Sequence, residues 1–109
     1  FITLDKKRIM AQLGMAIVNL IEGKLEEFKI KSYNEMYIGI TNNIRRRLFD
    51  EHKVSEETGT WIWDEAVNIE QARAVEKSFL GKGMKGGDGG GDETSVYVYC
   101  YKITSSTEE

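Results

Sequence analysis

The sequence predicts a small α+β domain with a three-stranded, mainly antiparallel sheet flanked by about three helices. Three observations lead there. Segments of helical periodicity alternate with short runs rich in aromatic and β-branched residues. The last such run has apolar or aromatic residues on both faces, as expected of a strand covered on both sides. At 109 residues the chain is near the commonest size of one domain, and such a chain buries about 60–70% of its unfolded surface. One domain spanning residues 1–109 is therefore expected.

The elements follow in order. An amphipathic helix is expected over residues 4–27, its clearest periodicity running from Leu4 to Leu25. Ile9, Leu13, Ile17, Leu20 and Ile21 share one stripe, with Lys6, Lys7, Asn19 and Glu22 off it, which predicts a helix packed on a sheet. Phe28 and Ile30 alternate with Lys29 and Lys31, as in a short strand or extended arm, and Ser32 to Glu35 reads as a turn. Met36 to Ile40 is a strand. Thr41, Asn42 and Asn43 then offer helix N-caps for a charged helix over Ile44 to His52, with Ile44 and Leu48 facing inward. Ser55 to Thr60 is polar loop. Trp61 begins a second strand running to about Val67. Asn68 with Gln71 three residues on resembles a capping box, opening a helix from Ile69 to about Leu80. The segment 81–93 is a loop, with seven glycines between Gly81 and Asp92. The final strand, Val96 to Ile103 within residues 95–103, alternates Tyr97, Tyr99 and Tyr101 with Val96, Val98 and Cys100; a frayed tail is expected beyond it.

Composition limits the function classes. No apolar run approaches the roughly 20 residues of a membrane span, and the N-terminal segment lacks the shape of a signal peptide. One cysteine, Cys100, excludes an internal disulfide and fits a reducing, cytoplasmic setting; burial is expected to leave it inert. With His52 the only histidine, a Cys/His zinc site is not expected. Net charge of −3 argues against a broad nucleic-acid-binding face, although Arg45-Arg46-Arg47 is a concentrated cationic spot.

Two residues stand out by their helical positions. On the helix after Asn68, Val75, Phe79, Ala72, Ile69 and Leu80 cover an arc of roughly 140° at ~100° per residue. Glu76 falls inside that arc, and Gln71 with the charged residues falls outside it. A carboxylate on a buried stripe is costly unless it is paired or binds a metal; the bland alternative is a rim glutamate paired with an arginine. Arg47 borders the apolar stripe of the second helix, whereas Arg46 points to the opposite, solvated side. Arginine suits phosphate because its planar fork donates two hydrogen bonds at once.

Met36-Tyr37-Ile38-Gly39-Ile40 through Arg47-Leu48, with His52 beyond, resembles the GIY-YIG endonuclease core. In that family a Tyr-Ile-Gly strand leads to a helix with an arginine ten residues after the tyrosine, here Tyr37 and Arg47. A strand and a helix with a metal-binding glutamate follow, and Trp61 to Val67 with Ala72 to Leu80 look like that pair, pointing to Glu76. The resemblance covers roughly residues 36–80. The family's Gly-Ile-Tyr strand is absent upstream of Tyr37. Either the C-terminal strand, whose Cys100-Tyr101-Lys102-Ile103 reads like Ile-Tyr-Lys-Ile, takes its place and Tyr101 becomes the second tyrosine, or Phe28 to Ile30 supplies it and that tyrosine is lost. The first arrangement requires Tyr101 beside Tyr37.

The resemblance implies hydrolysis of DNA phosphodiesters with one divalent metal, magnesium, which Glu76 would ligate. Tyr37 would take a proton from the attacking water, which a phenol of ordinary pKa ~10 does only beside a cation or metal-bound water. Arg47 would neutralise charge on the phosphate, and His52 would bond the phosphate, a tyrosine, or lie on the surface. A separate targeting domain or partner would help hold DNA; no membrane association is expected. The glycine-rich segment neither follows a strand nor opens a helix, and Asp88 and Asp92 would repel phosphate, so it reads as a loop beside the site, a substrate flap, rather than a phosphate cradle. Trp61 and Trp63 read as core rather than as nucleobase-stacking platforms. Two other classes stay open: a catalytically inactive GIY-YIG-like nucleic-acid-binding module, and a protein-interaction domain using the N-terminal helix.

Overall fold

The computed structural model describes residues 2–87 and 91–109, with side chains from Arg8 onward, Met10 excepted. The expectations for Lys6, Lys7 and Asp88, and the part of the glycine-rich segment at 88–90, lie outside what is described. Helix α1 (Ile2–Glu27) is followed by a 3₁₀ turn (Tyr33–Glu35), strand β1 (Met36–Thr41), a π-helical segment (Arg46–Glu51), strand β2 (Trp61–Glu65), helix α2 (Ile69–Lys82) and strand β3 (Tyr97–Lys102). The result is a small α+β domain: a three-stranded antiparallel sheet in the order β1-β3-β2, with two main helices packed against it. β3, last in the chain, is the middle strand, with Tyr37 opposite Tyr101, Gly39 opposite Tyr99, and Trp63 also opposite Tyr99.

Strand alternation gives the sheet two different faces. Met36, Ile38 and Ile40 of β1, Ile62 of β2, and Val98 and Cys100 of β3 face Ile17, Ile21 and Leu25 of α1 and Ala72, Val75 and Phe79 of α2 in the main core. Burying a side chain such as Phe79 or Ile21, both fully buried, stabilises the fold by about 1.5–3 kcal/mol. The other face carries Tyr37, Tyr99 and Tyr101 and is covered by Leu48 and Val54, with Ile44, Phe49, Trp61 and Ile103 packed around them. β3 is thus enclosed on both faces, as its alternation of tyrosines with Val98 and Cys100 predicts. Cys100 is fully buried, and burial pushes its thiol pKa up, which fits the inert thiol expected.

Several expectations are corrected. The apolar stripe of α1 is buried only in its C-terminal half: Ile9 and Leu13 are 55% and 42% exposed, and Leu20 also faces solvent. A helix of 26 residues is about 39 Å long, whereas a six-residue strand spans about 20 Å, so the sheet covers only part of it. Phe28 to Ile30 is no strand. The chain leaves α1 through Lys29 in a positive-φ conformation, and the amides of Lys31 and Ser32 then donate to the Glu35 carboxylate at 2.9 and 2.8 Å. The route by which Phe28 to Ile30 supplies an additional strand is therefore closed. Trp63 is 44% exposed, not core: unlike Trp61, it is not packed into the cluster around Leu48 and Tyr99. The tail is docked rather than frayed: the Glu108 amide donates to the His52 carbonyl at 2.7 Å.

At α2 the Asn68 carboxamide caps the Gln71 amide at 2.9 Å, while the Gln71 side chain accepts from Val67 instead of closing the box on Asn68. Gly83, at φ 118°, ends the helix in the left-handed conformation that favours glycine. The chain then runs along the free edge of β1, where the Lys85 carbonyl accepts from Ile38 at 2.8 Å and the Lys85 amide donates to Met36 at 2.9 Å. A Cβ on Gly86 would lie 2.7 Å from the Ile38 carbonyl oxygen, so glycine permits this approach. The glycine-rich segment begins by covering a strand edge.

Candidate active site

A cavity of about 420 Å³ opens between the end of β1, the π-helical segment, α2 and the residues that precede β3. Tyr37, Arg47 and Glu76, the three residues singled out by sequence, all line it, together with Arg46, Asn42 and Asp92. They come from three separate elements. Tyr37 is placed by the alternation of β1, Arg47 by the segment that Asn43 initiates through its side-chain oxygen to the Arg46 amide at 3.1 Å, and Glu76 by α2.

Glu76 is not centred in the core. The fully buried residues of α2 are Gln71, Ala72, Val75 and Phe79, a sector about 100° wide whose edge lies some 40° from Glu76 at ~100° per residue. Its carboxylate is half-buried and faces the cavity. The buried sector of α2 extends to Gln71 instead of to Ile69 and Leu80, which are only partly buried.

Arg46 is exposed, as its solvated position predicts, but it borders the same cavity as Arg47 instead of pointing to the opposite side. The His52 amide bonds the Arg47 carbonyl at 2.9 Å, a five-residue step that widens the turn. In such a turn residues i and i+5 approach one another. Glu51 therefore reaches both Arg46, Nε to Oε2 at 3.0 Å, and Arg47, Nη1 to Oε1 at 2.8 Å. The Arg47 guanidinium holds the Glu51 carboxyl below its ordinary pKa.

Behind Arg47 lies a chain of hydrogen bonds that centres on Tyr99. Arg47 Nε donates to the Tyr99 hydroxyl at 3.0 Å, and that oxygen is 2.8 Å from His52 Nε2. His52 Nδ1 is 2.7 Å from the Glu108 carbonyl, to which the Tyr101 hydroxyl also donates at 3.3 Å. The Glu108 carbonyl can only accept, so His52 carries its proton on Nδ1, and Nε2 is left to accept from Tyr99. Tyr99 then has a lone pair for Arg47. Burial lowers the His52 pKa, with the Arg47 charge acting in the same direction, and burial raises that of Tyr99. Burial also opposes the charge on Arg47, but its hydrogen bonds to Tyr99 and Glu51 outweigh this and raise its pKa. At neutral pH the chain is guanidinium, neutral phenol, neutral imidazole, in agreement with the donor directions.

Tyr101 and His52, both expected at the site, do not line the cavity. Tyr101 does lie against Tyr37, with ring centroids 5.2 Å apart in a stacked pair, but it is fully buried and does not line the cavity. His52 is buried, not on the surface; of its expected roles it takes the bond to a tyrosine, Tyr99, and its ring packs on Tyr37 with centroids 4.7 Å apart. Tyr99, which the sequence reading placed only in an alternating strand, touches Arg47 directly. Its ring crosses Gly39: a Cβ there would lie 2.5 Å from the phenol carbon. The only signal in the sequence was a strand glycine facing an aromatic of unknown register.

Asp92 and Ser95 complete the wall, in a turn where Thr94 donates twice to the Asp92 carboxylate, at 2.9 and 2.6 Å. The Thr94 hydroxyl and then its amide depress the Asp92 pKa. Among the described residues no group of three or more His, Cys, Asp or Glu side chains converges. Of the described residues, Glu76 and Asp92 are the carboxylates that line the cavity; one or two carboxylates with water completing the shell is the donor set magnesium commonly takes. Compared with protein-family models, curated proteins and solved structures, the chain matches none.

Proposed function

We propose that the chain is a metal-dependent endonuclease of the GIY-YIG type, hydrolysing DNA phosphodiester bonds. The observation that carries this reading is the meeting of Tyr37, Arg47 and Glu76 in one cavity, from β1, the π-helical segment and α2. Their sequence spacing resembles the family's, and nothing in local structure alone requires them to converge. β3 running antiparallel beside β1, with Tyr101 opposite Tyr37, supports reading the C-terminal strand as the stand-in for the missing Gly-Ile-Tyr strand.

In this mechanism the chain's residues position and neutralise. Arg47 receives the scissile phosphate. Its pairing with Glu51 is 38% exposed on the arginine side, and exposed pairs contribute about 0–1 kcal/mol, so a phosphate displaces Glu51 at small cost. Arg46, freed from the same carboxylate, adds a second cation. Tyr99 holds Nε in place during the exchange, which keeps the guanidinium plane aimed at the cavity. Tyr37, once its own proton has passed to solvent beside the Arg47 cation, takes the proton of the attacking water at its phenolate oxygen and is restored as the phenol. Glu76 would hold the magnesium ion, whose chemistry when bound would be Lewis-acid stabilisation of the leaving oxygen.

The net charge of −3 fits a domain that relies on a separate targeting element to hold DNA. A cytoplasmic setting fits the single buried thiol; among the described residues no helix is long and apolar enough to cross a membrane. The test is nicking of supercoiled and branched DNA with magnesium. Arg47→Ala should lower the rate about 100-fold or more, as for loss of a transition-state donor, and Glu76→Ala should abolish metal dependence. Parent and Glu76→Ala equally inert on every DNA form, with no metal bound by either, would remove the nuclease reading; DNA binding without cleavage would leave a binding module.

A further inference from the structure

We propose that the aromatic groove beside the reaction cavity is a subsite for one unpaired nucleobase of the DNA strand, next to the phosphate held by Arg47. The inference rests on the nuclease reading and deepens it. The groove encloses about 350 Å³ and is lined by Asn42, Arg45, Phe49, Trp61, Trp63 and Tyr97.

Trp63 is the first reason. It is 44% exposed, although an indole normally contributes its area to a core. It occupies the face of the sheet that carries Tyr99 and Tyr37, away from the face α1 and α2 cover. Its ring is held edge-to-face against Tyr97, 5.7 Å between centroids at 77°. Across the groove Phe49 meets Trp61 at 5.2 Å and 77°, and the Arg45 guanidinium lies 5.3 Å from the Phe49 centroid. Each ring is thus braced by another, so an incoming flat ring meets surfaces that are already ordered and loses little entropy on stacking.

Continuity is the second. Asn42 lines both the groove and the reaction cavity. A strand with one phosphate at Arg46 and Arg47 therefore carries a neighbouring nucleotide to the groove mouth. The third reason is the chemistry of the rim. Arg45, held by Glu56 through two bonds of 3.1 and 2.7 Å, provides a cation near the sugar-phosphate, and the Asn42 carboxamide, which accepts from Arg46 at 3.2 Å and donates to Thr94 at 3.1 Å, fixes the rim between groove and cavity. Stacking rings joined to a cationic track are the features that bind single strands. A base within a duplex cannot enter, so the base that does must be unpaired.

Binding is measured on the full chain carrying Glu76→Gln, without divalent ion, so that cleavage plays no part. The probe is a fluorescent duplex with a short single-stranded gap, with and without an abasic residue at each gap position in turn. Trp63→Ala should weaken binding about 5- to 150-fold, the range for loss of one base–aromatic stack, while Trp63→Phe retains most of it. At one gap position the abasic residue should cost the parent as much and cost Trp63→Ala almost nothing. Additive effects of the two changes, equal affinity of Trp63→Ala and its parent, or no binding of the gapped duplex at all would each overturn the subsite. A coupled effect with no nicking by the unmodified chain would keep the subsite and remove the nuclease reading. Magnesium-dependent nicking without coupling would do the reverse.

Discussion

Removing one oxygen, in Tyr99→Phe, tests the hydrogen-bonded chain behind Arg47. The hydroxyl accepts from Arg47 Nε and donates to His52 Nε2. The two lost bonds are unequal. The Arg47 side chain is 38% exposed, so water replaces part of what Nε loses. His52 and Tyr99 are both buried, at 2% and 0% exposure, and Nε2 is left without its donor; an unsatisfied buried acceptor costs about 1–3 kcal/mol. The ring remains, and with it the packing on Gly39. A loss of about 2 kcal/mol follows, or a fall of about 8 °C in Tm for a domain of this size. Urea unfolding followed by far-ultraviolet circular dichroism measures the first. The ¹⁵N resonances of His52 measure the second consequence, since Nε2 would cease to receive a hydrogen bond while Nδ1 keeps the proton for Glu108. Stability within 0.5 kcal/mol of the parent, with His52 nitrogen shifts unchanged, would refute the chain as drawn; ~0.5 kcal/mol is the spread of ordinary surface substitutions.

Three further outcomes follow from the same coordinates. The His52 pKa is lowered in the fold by burial, so between its folded value and the unfolded ~6.5 the unfolded chain binds a proton that the folded chain does not. Its contribution is therefore complete above about pH 6.5 and is lost as pH falls through the folded value; unfolding free energies at pH 7.5, 6.5 and 5.5 should decline, and His52→Gln should flatten the decline. Gly39→Ala should destabilise by about 1–3 kcal/mol through overpacking against Tyr99, outweighing the ~0.5–1 kcal/mol that alanine gains in backbone entropy; a more stable variant in urea titration would show that the ring moves freely. Asn68→Ala removes the cap on the Gln71 amide and should cost about 1 kcal/mol, read as a Tm lower by about 4 °C, with nicking unaffected at 25 °C.

Local chemistry made most of the elements legible. The Met36–Thr41 strand, the capped helix from Ile69 and the terminal strand fall within one or two residues of expectation, except that α2 runs two residues past Leu80 and β2 stops at Glu65. These features depend on neighbours in sequence: alternation, a carboxamide three residues before an amide, glycine ending a helix. The alternation of β3 also foretold cover on both faces. Arg47 and Glu76 were marked out by their helix positions, and Tyr37 came with the family resemblance; all three line one cavity.

Register and long-range contact were not legible, because they join residues that sequence leaves far apart. Nothing near Tyr99 indicates that it lies opposite Gly39, and only that pairing brings its hydroxyl to Arg47. The widened turn that puts Arg46 and Arg47 on the same glutamate depends on which bonds His52 makes. α1 reads as uniformly amphipathic, yet only the finite width of the sheet decides which half is buried. By itself the sequence determined most of the elements, the two-faced strand and the helices that carry Arg47 and Glu76. The tertiary structure decided which tyrosine holds the arginine and which tryptophan faces solvent, since both depend on the pairing of strands separated by most of the chain.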